Sequence, residues 1–458
     1  AAGLDRAVQY HGIARGNYLI GDHPGALRAL EICLKNQADY LPALRLKAQI
    51  SLDQGDTDRA RDILREALEH HPEDPEVNLA LASIYADAEQ WAQVSRLIPQ
   101  IRADQRLRDV ALYLEGRVAW SQNRVGTARA RFEEAIERQA SGSNDLLASL
   151  YFYRGLCLDR LGRSEAADEA VTKAIDAGFQ AETRAEAEAL GRLLLRTGLA
   201  EIAVPQLEGI LLGRDNGSVT LWSQLGRAHQ MTDQIPLAIS AFNQALELDP
   251  DRTEVLALRG SLLRRIGDLE GARSDYRRAA ELNPDNAAFH YALGLAELQL
   301  GRLAEAEQAL GQSAKLPGPT PAQQLLHALT AYAIGAHGTA REALQRYLAD
   351  HPDEATEAAV YLAHLLQTPV ETTLDDPVLR YFRGAASRKE VLDWAGYAET
   401  PADARRRICA AAFWLAQDER LKGNAATARE LIQIALEAGS PESPEYQFAQ
   451  WQLDADQR

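Results

Sequence analysis

The chain has 458 residues, 46% hydrophobic and 25% charged. That is the balance of an ordered protein, yet longer than one globular core of about 250–300 residues. Several domains or one repeat array are the choices left. A net charge of −17 argues against phosphate-backbone binding, which needs a basic stripe. Ala, Leu, Glu and Arg dominate over Val, Ile and Thr, and unbranched side chains lose little rotamer freedom in a helix.

The first residues, Ala1 to Arg6, enter a helical pattern at once, so any signal peptide would have to precede them. No apolar run approaches the roughly 18 residues of a membrane span. Gly21, Ala26 and Leu30 are then followed 34 residues later by Gly55, Ala60 and Leu64, closing at Pro72. Ala82, Tyr85 and Ile98 keep the beat, as do Gly116, Ala128, Phe132 and Ala135. Extra residues from Ala140 to Asn144 break the frame, an irregular insertion near 140–147, and it resumes with Gly155, Gly162, Ala167 and Ala174. Gly191, Gly198, Ala203 and Leu207 form a weaker unit.

The sharpest unit starts at Val219: Trp222-x-x-Leu225-Gly226-x-x-His229, then Ala238-x-x-x-Phe242-x-x-Ala245, then Pro250. The next repeats it with Leu256, Gly260, Gly267, Ala272, Tyr276, Ala279 and Pro284. Gly294, Gly301, Ala306 and Leu310 follow, then Ala328, Gly335, Ala340, Leu344 and Pro352. The small residue at the eighth place lets two antiparallel helices approach, with the Ala at the twentieth place facing it. The bulky residue four later is expected to fill the gap toward the next repeat. Gly at the fifteenth place suits a left-handed turn, and Pro after Asp or Asn stops the second helix.

This pattern resembles the tetratricopeptide repeat, a helix–turn–helix unit with a 34-residue period. The resemblance covers residues 7–354 as ten units. It implies an all-α, right-handed α-solenoid, in which each pair buries its apolar face only by stacking. The expected organisation is an array over 1–354, an atypical helical connector over 355–408, and a final repeat-like pair with a capping helix over 409–458. Thr368 to Pro377 reads as irregular, followed by short helices at Val378–Gly384 and near Arg388–Ala395. The closing pair carries Ala412, Ala416, Gly423, Ala428, Ile432 and Ala435, and Tyr446, Phe448, Trp451 and Leu453 mark the cap.

The last stretch, with Tyr381-Phe382-x-Gly384, Cys409 to Leu415, Gly423-Asn424, Ala428 and Glu445-Tyr446, resembles bacterial tetratricopeptide lipoproteins of the NlpI type. That resemblance implies an envelope-facing adaptor bringing periplasmic enzymes to their targets. Little Lys beside much Arg, and a single Met, hint at a GC-rich bacterial gene.

Motifs that carry chemistry are missing: no phosphate-binding GxxxxGK[ST], no GxSxG, no HExxH and no EF-hand loop. His70 and His71 diverge on a helix and cannot share a metal. Glu133-Glu134 and Asp375-Asp376 are chance neighbours among 66 acidic residues, and His229 is a packed helix residue rather than a catalyst. Cys33, Cys157 and Cys409 lie far apart in apolar stretches and read as buried thiols, compatible with cytosol without excluding periplasm. No catalysis, cofactor or metal is expected.

The resemblance further implies that the second, fifth, ninth and twelfth places of each unit line a concave groove. These places, with their neighbours, gather Tyr113, Arg117, Trp120, Phe152, Arg192, Arg227 and Arg264. Arg and aromatic residues carry much interface energy, and Arg forks onto carboxylates. The partner expected is a protein or peptide segment bearing acidic and apolar groups. The alternative is that the aromatics pack between repeats and the arginines pair with neighbouring acids. The ninth place holds Arg15, Gln49, Ser83, Arg117, Leu156, Arg192, Arg227, Ser261 and Leu295 in turn. It therefore lacks the asparagines of the two-carboxylate clamp in chaperone-tail binders. The expectation is a protein-interaction scaffold in bacterial envelope or cell-surface assembly, periplasmic in location. A self-associating structural element and a cytoplasmic adaptor are the alternatives, with a site concealed in 367–408 the least favoured.

Overall fold

The computed structural model describes residues 2–138, 144–213, 217–351, 357–367, 377–382, 385–398, 400–439 and 444–457. No strand occurs among them. Of the sequence expectations, residues 140–143, Pro352, Asp375-Asp376 and Gly384 lie outside the described residues. Two compact units divide the chain, Ala1–Asn216 and Gly217–Arg458.

The first unit holds six helix pairs. They are α1 (Ala2–Leu19) with α2 (His23–Asn36), α3 (Leu41–Asp53) with α4 (Thr57–His70), and α5 (Pro75–Asp87) with α6 (Trp91–Ala103). Then come α7 (Arg108–Ser121) with α8 (Val125–Arg138), α9 (Asn144–Arg160) with α10 (Ser164–Asp176), and α11 (Arg184–Arg196) with α12 (Ala200–Gly213). Each first helix packs on its pair mate, each second helix up to α10 packs on the first helix of the next pair, and the first helices α1 and α3, and α7 and α9, also meet. The first helices of those pairs therefore share a face, as the repeat pattern requires.

The second unit continues with α13 (Val219–Met231) and α14 (Ile235–Leu248), α15 (Thr253–Arg265) and α16 (Leu269–Leu282). After them come α17 (Ala287–Gln299) and α18 (Leu303–Lys315), α19 (Pro321–Ala333) and α20 (His337–Asp350). Six helices follow: α21 (Glu357–Leu365), α22 (Pro377–Phe382), α23 (Arg388–Gly396), α24 (Pro401–Leu421), α25 (Ala425–Ala438) and α26 (Pro444–Gln457).

Local chemistry sets where each helix begins and turns. Carboxylates of Asp56, Asp74 and Asp268 accept from the backbone N–H of Arg59, Val77 and Gly271 at 3.1, 2.8 and 3.0 Å, satisfying donors that a helix start leaves unpaired. The turn within each pair takes a left-handed residue at the fifteenth place: Gly55 at φ 77° and Gly267 at φ 86°, for example. Glu89, Asn123 and Asp233 hold the same conformation at φ 55°, 58° and 57°, so the frame persists where glycine does not.

The eighth-place glycine does more than bring helices together. A Cβ on Gly116 would lie 2.3 Å from the ring of Phe132, and one on Gly226 would lie 2.5 Å from that of Phe242. The bulky residue of the second helix thus sits on the glycine of its own pair. It also packs toward the next repeat as expected, Phe132 against Tyr153 and Phe242 in one cluster with Val255 and Leu256, and at Gly294 a leucine, Leu310, takes the same seat.

The C-terminal helix packs on the final pair, α24 and α25, and in addition reaches α17. One continuous apolar cluster runs from Leu298 through Leu329, Tyr361 and Trp414 to Phe448 and Ala449. Cys33, Cys157 and Cys409 are buried and form no disulfide.

Candidate functional site

In the first unit, α7 places Tyr113 and Arg117 four residues apart on one helix face. The guanidinium of Arg117 lies 4.1 Å from the ring centroid of Tyr153, 5.0 Å from Trp91 and 5.6 Å from Tyr113. Its Nη1 donates to the Tyr113 hydroxyl at 2.6 Å and stands 4.0 Å from Glu186 Oε1. Tyr153 donates to the same carboxylate. Glu186 in turn caps α11, accepting from the backbone N–H of Glu182 and Thr183 at 3.1 and 3.3 Å. Burial pushes the Tyr113 and Tyr153 hydroxyls up, with Arg117 opposing the shift in both. The result is a cation held in an aromatic cage by groups from α6, α7, α9 and α11. Arg117 is committed inside this knot, so an incoming carboxylate would have to break it first.

The neighbouring expectations resolve similarly. Phe152 is fully buried and stacks on Phe179 at 4.1 Å. This corrects its expected place in the groove: the connection after α10 folds Phe179 over it, and the pair becomes core. Arg192 projects outward but bonds Asp159 Oδ2 at 3.0 Å, and Arg196 pairs with Asp159 and Asp168. Trp120 is half-buried, with the Arg160 guanidinium 4.8 Å over its ring. In this unit the aromatics pack between repeats and the arginines pair with acids, the alternative that the sequence left open.

Most arginines of the second unit pair with acids as well, Arg259 with Asp275 and Arg273 and Arg277 with Glu297, but one at a groove place does not. Arg227, on α13, is exposed and has no hydrogen bond or ion pair among the described residues. One repeat on, α15 places Arg264, half-buried, with its guanidinium on the Tyr276 hydroxyl. Burial raises the Tyr291 hydroxyl, and Arg264 opposes that shift. Beside them Arg265 Nη2 reaches Asp233 Oδ1 at 3.0 Å. Met231 and Ile266 are exposed near the ends of the same two first helices. The face therefore runs from cationic at α13 and α15 to apolar at α17, where the equivalent places hold Tyr291, Leu295 and Leu298. Tyr291 occupies a fifth place but was not legible as part of the site, because the spacing does not show that Arg264 of the preceding pair acts on it.

His229 is buried, with Nδ1 at 2.7 Å from Gln234 Oε1, and His71 Nε2 lies 2.8 Å from the Asp39 carbonyl. Both histidines serve local structure. No group of three His, Cys, Asp or Glu side chains that could hold a metal ion occurs among the described residues. Among them, too, no helix is long and apolar enough to cross a membrane.

Family models described as tetratricopeptide repeat match residues 20–84, 51–118, 113–181, 219–252 and 257–322, together more than half of the chain. None of the curated proteins matches in sequence. Solved structures of similar fold include YrrB, titled a TPR protein with an unusual peptide-binding site, at 19% identity. That match covers 43% of this chain and 96% of that one with a TM-score of 0.37. The C-terminal part of a TPR repeat-containing protein from Cytophaga hutchinsonii is 16% identical over 54% of this chain and 97% of its own, TM-score 0.43. The APC/C hetero-tetramer Cut9–Hcn1 matches over 98% of this chain and 96% of its own at 14% identity, TM-score 0.36.

Proposed function

Because this chain belongs to the tetratricopeptide-repeat family, we propose that it is a non-catalytic scaffold whose second unit binds an acidic segment of a partner protein at Arg227 and Arg264. The repeat fold is a protein-interaction fold, and the first helices of its pairs share one face on which a segment can lie. The single observation that carries the choice of unit is Arg227: exposed, cationic and uncommitted, while Arg117 and Arg192 are engaged. An arginine that needs no partner broken offers its full fork to a carboxylate. Arg264 lies at a groove place one repeat further on, and Tyr291 extends the strip toward apolar ground.

A bacterial envelope setting is part of the proposal, on the likeness of the C-terminal stretch to NlpI-type lipoproteins; the cytoplasm is the alternative. The test is retention from bacterial cytosol and envelope fractions by the intact chain, by Arg227→Glu, and by Arg65→Glu. The last makes the same charge change at an exposed position of α4. A protein held by wild type and by Arg65→Glu but lost with Arg227→Glu supports the reading, and its fraction reports the compartment. Equal retention by all three overturns the assignment to this face.

Self-association is a second reading, favoured by the exposed Leu4, Val8, Leu19 and Ile20 of the first pair. Apolar exposure of this kind often marks an interaction surface. Light scattering that rises with concentration in wild type and falls with Leu19→Lys would support it; a concentration-independent mass would count against it.

A further inference from the structure

The groove places of α17 and α19 are the most apolar in the second unit, and α26 packs over those of α17. In register with Arg227 stand Leu295 and Leu329, and in register with Arg264 stand Leu298 and Tyr332. Leu298 and Leu329 are buried in the same cluster as Phe448 and Ala449 of α26, with Tyr291, Leu295 and Tyr332 packed against it. The Trp451 ring comes within 3.5 Å of where a Cβ on Gly301, just after α17, would sit. On the other flank Gln417 of α24 and Gln452 of α26 exchange two amide hydrogen bonds at 3.0 and 2.9 Å, both side chains buried.

The covering helix has a definite chemistry. Its sequence, Pro444 to Gln457, carries Glu445, Asp454 and Asp456, no Lys or Arg, and Tyr446, Phe448, Trp451 and Leu453. An acidic helix with aromatic groups three residues apart is the kind of segment that the Arg227–Tyr291 face calls for. We propose that α26 is an internal ligand. It occupies the apolar end of the groove, and the partner is an acidic amphipathic helix with the Phe448–Trp451 spacing that competes with α26 for the seat on α17 and α24. This deepens the scaffold reading above and rests on it.

The seat is built for exchange rather than permanence. Of the described side chains of α26, only Phe448, Ala449 and Gln452 are buried, whereas α24 buries Cys409 and most of Ala411 to Glu419. Elements with few buried apolar groups open at lower free energy than the core beside them. The amide pair adds register specificity more than strength, because each amide must be satisfied by the other. The short tether from α25 gives α26 a high effective concentration at its seat. A partner helix must overcome that advantage, and a peptide in trans therefore binds the intact chain poorly.

The test uses a fluorescein-labelled peptide of residues 444–457, titrated by anisotropy into the full chain and into full-length Gln452→Lys. Hydrogen exchange reports on α24 and α26. The expected result is loss of α26 protection with α24 retained, and peptide binding at least tenfold tighter in the variant than in wild type. A peptide with Phe448→Ala and Trp451→Ala should bind neither. Trp451→Ala, which removes a half-buried side chain, gives the same reading where Gln452→Lys also opens α24. Persistent protection of α26 in both variants, equal binding of the peptide to wild type and variant, or no binding to either overturns the proposal. The peptide assay involves no lysate partner and no Arg227 variant. Failure of the Arg227 test with peptide binding intact would therefore remove the partner assignment and leave the internal ligand standing.

Discussion

Arg117 sits within reach of three aromatic faces and one carboxylate, with its Nε buried and unpartnered. Stacking against several rings compensates partial desolvation in a way that a lone ion pair does not. Arg117→Ala should therefore destabilise the first unit by about 2–3 kcal/mol, from lost cation–π contact and an orphaned Tyr113 hydroxyl. Arg117→Lys keeps the charge but loses the planar stack, and should recover about half of that. Urea unfolding midpoints of the two variants check the order; equal midpoints for Ala and Lys would make charge, not stacking, the source. The sequence named Tyr113 and Arg117 but not the use made of them. Trp91, Tyr153 and Glu186 lie in other repeats, and only the stacking of pairs decides which side chains of neighbouring repeats meet. Arg227 was legible for the opposite reason, since an exposed side chain needs no distant partner to be placed.

At the scale of the helix pair, the repeat period carries the fold because each place has a steric task that composition alone can satisfy. The turn residues keep a left-handed conformation even where Glu89, Asn123 or Asp233 replaces glycine, so the phase was readable across all ten pairs. What escaped was the second contact of the bulky residue, which meets the glycine of its own pair as well as the next repeat, since a 34-residue spacing cannot tell packing within a pair from packing between pairs. The geometry gives two glycines opposite fates. Gly209, exposed in the interior of α12, has no atom within 4 Å of an added Cβ. Gly209→Ala should stabilise by about 0.5–1 kcal/mol, because alanine loses less backbone entropy on folding. Gly226→Ala gains the same helix preference but drives a methyl to 2.5 Å from Phe242. Overpacking of that kind costs about 1–3 kcal/mol or more, so the clash wins. Thermal unfolding should move up for the first variant and down for the second; a rise in both would mean that α13 and α14 can part freely.

Across the whole chain, stability in a repeat protein is approximately a sum of intrinsic terms and nearest-neighbour contacts rather than one shared core. The apolar clusters follow that logic. Those of the first pairs run through consecutive helices only, α1 to α3 and α3 to α7, while the one spanning Leu298 to Ala449 joins more helices of the second unit and links ones far apart in sequence. This difference was not legible in the sequence, because the C-terminal helices leave the 34-residue frame and α26 meets α17 only through folding back on it. The consequence is a contrast in how damage spreads. Phe132 is fully buried and fills the Gly116 notch beside Tyr113 and Tyr153. Phe132→Ala should cost about 3–5 kcal/mol. Hydrogen exchange should show the loss in α5 to α10, with protection in α13 to α20 unchanged. Trp414→Ala, in the extended cluster, should instead lower protection together in α19, α21, α24 and α26. If Phe132→Ala loosens both units to the same degree, the chain folds as one cooperative body. Opening of α26 would then not be separable from unfolding of the groove beneath it.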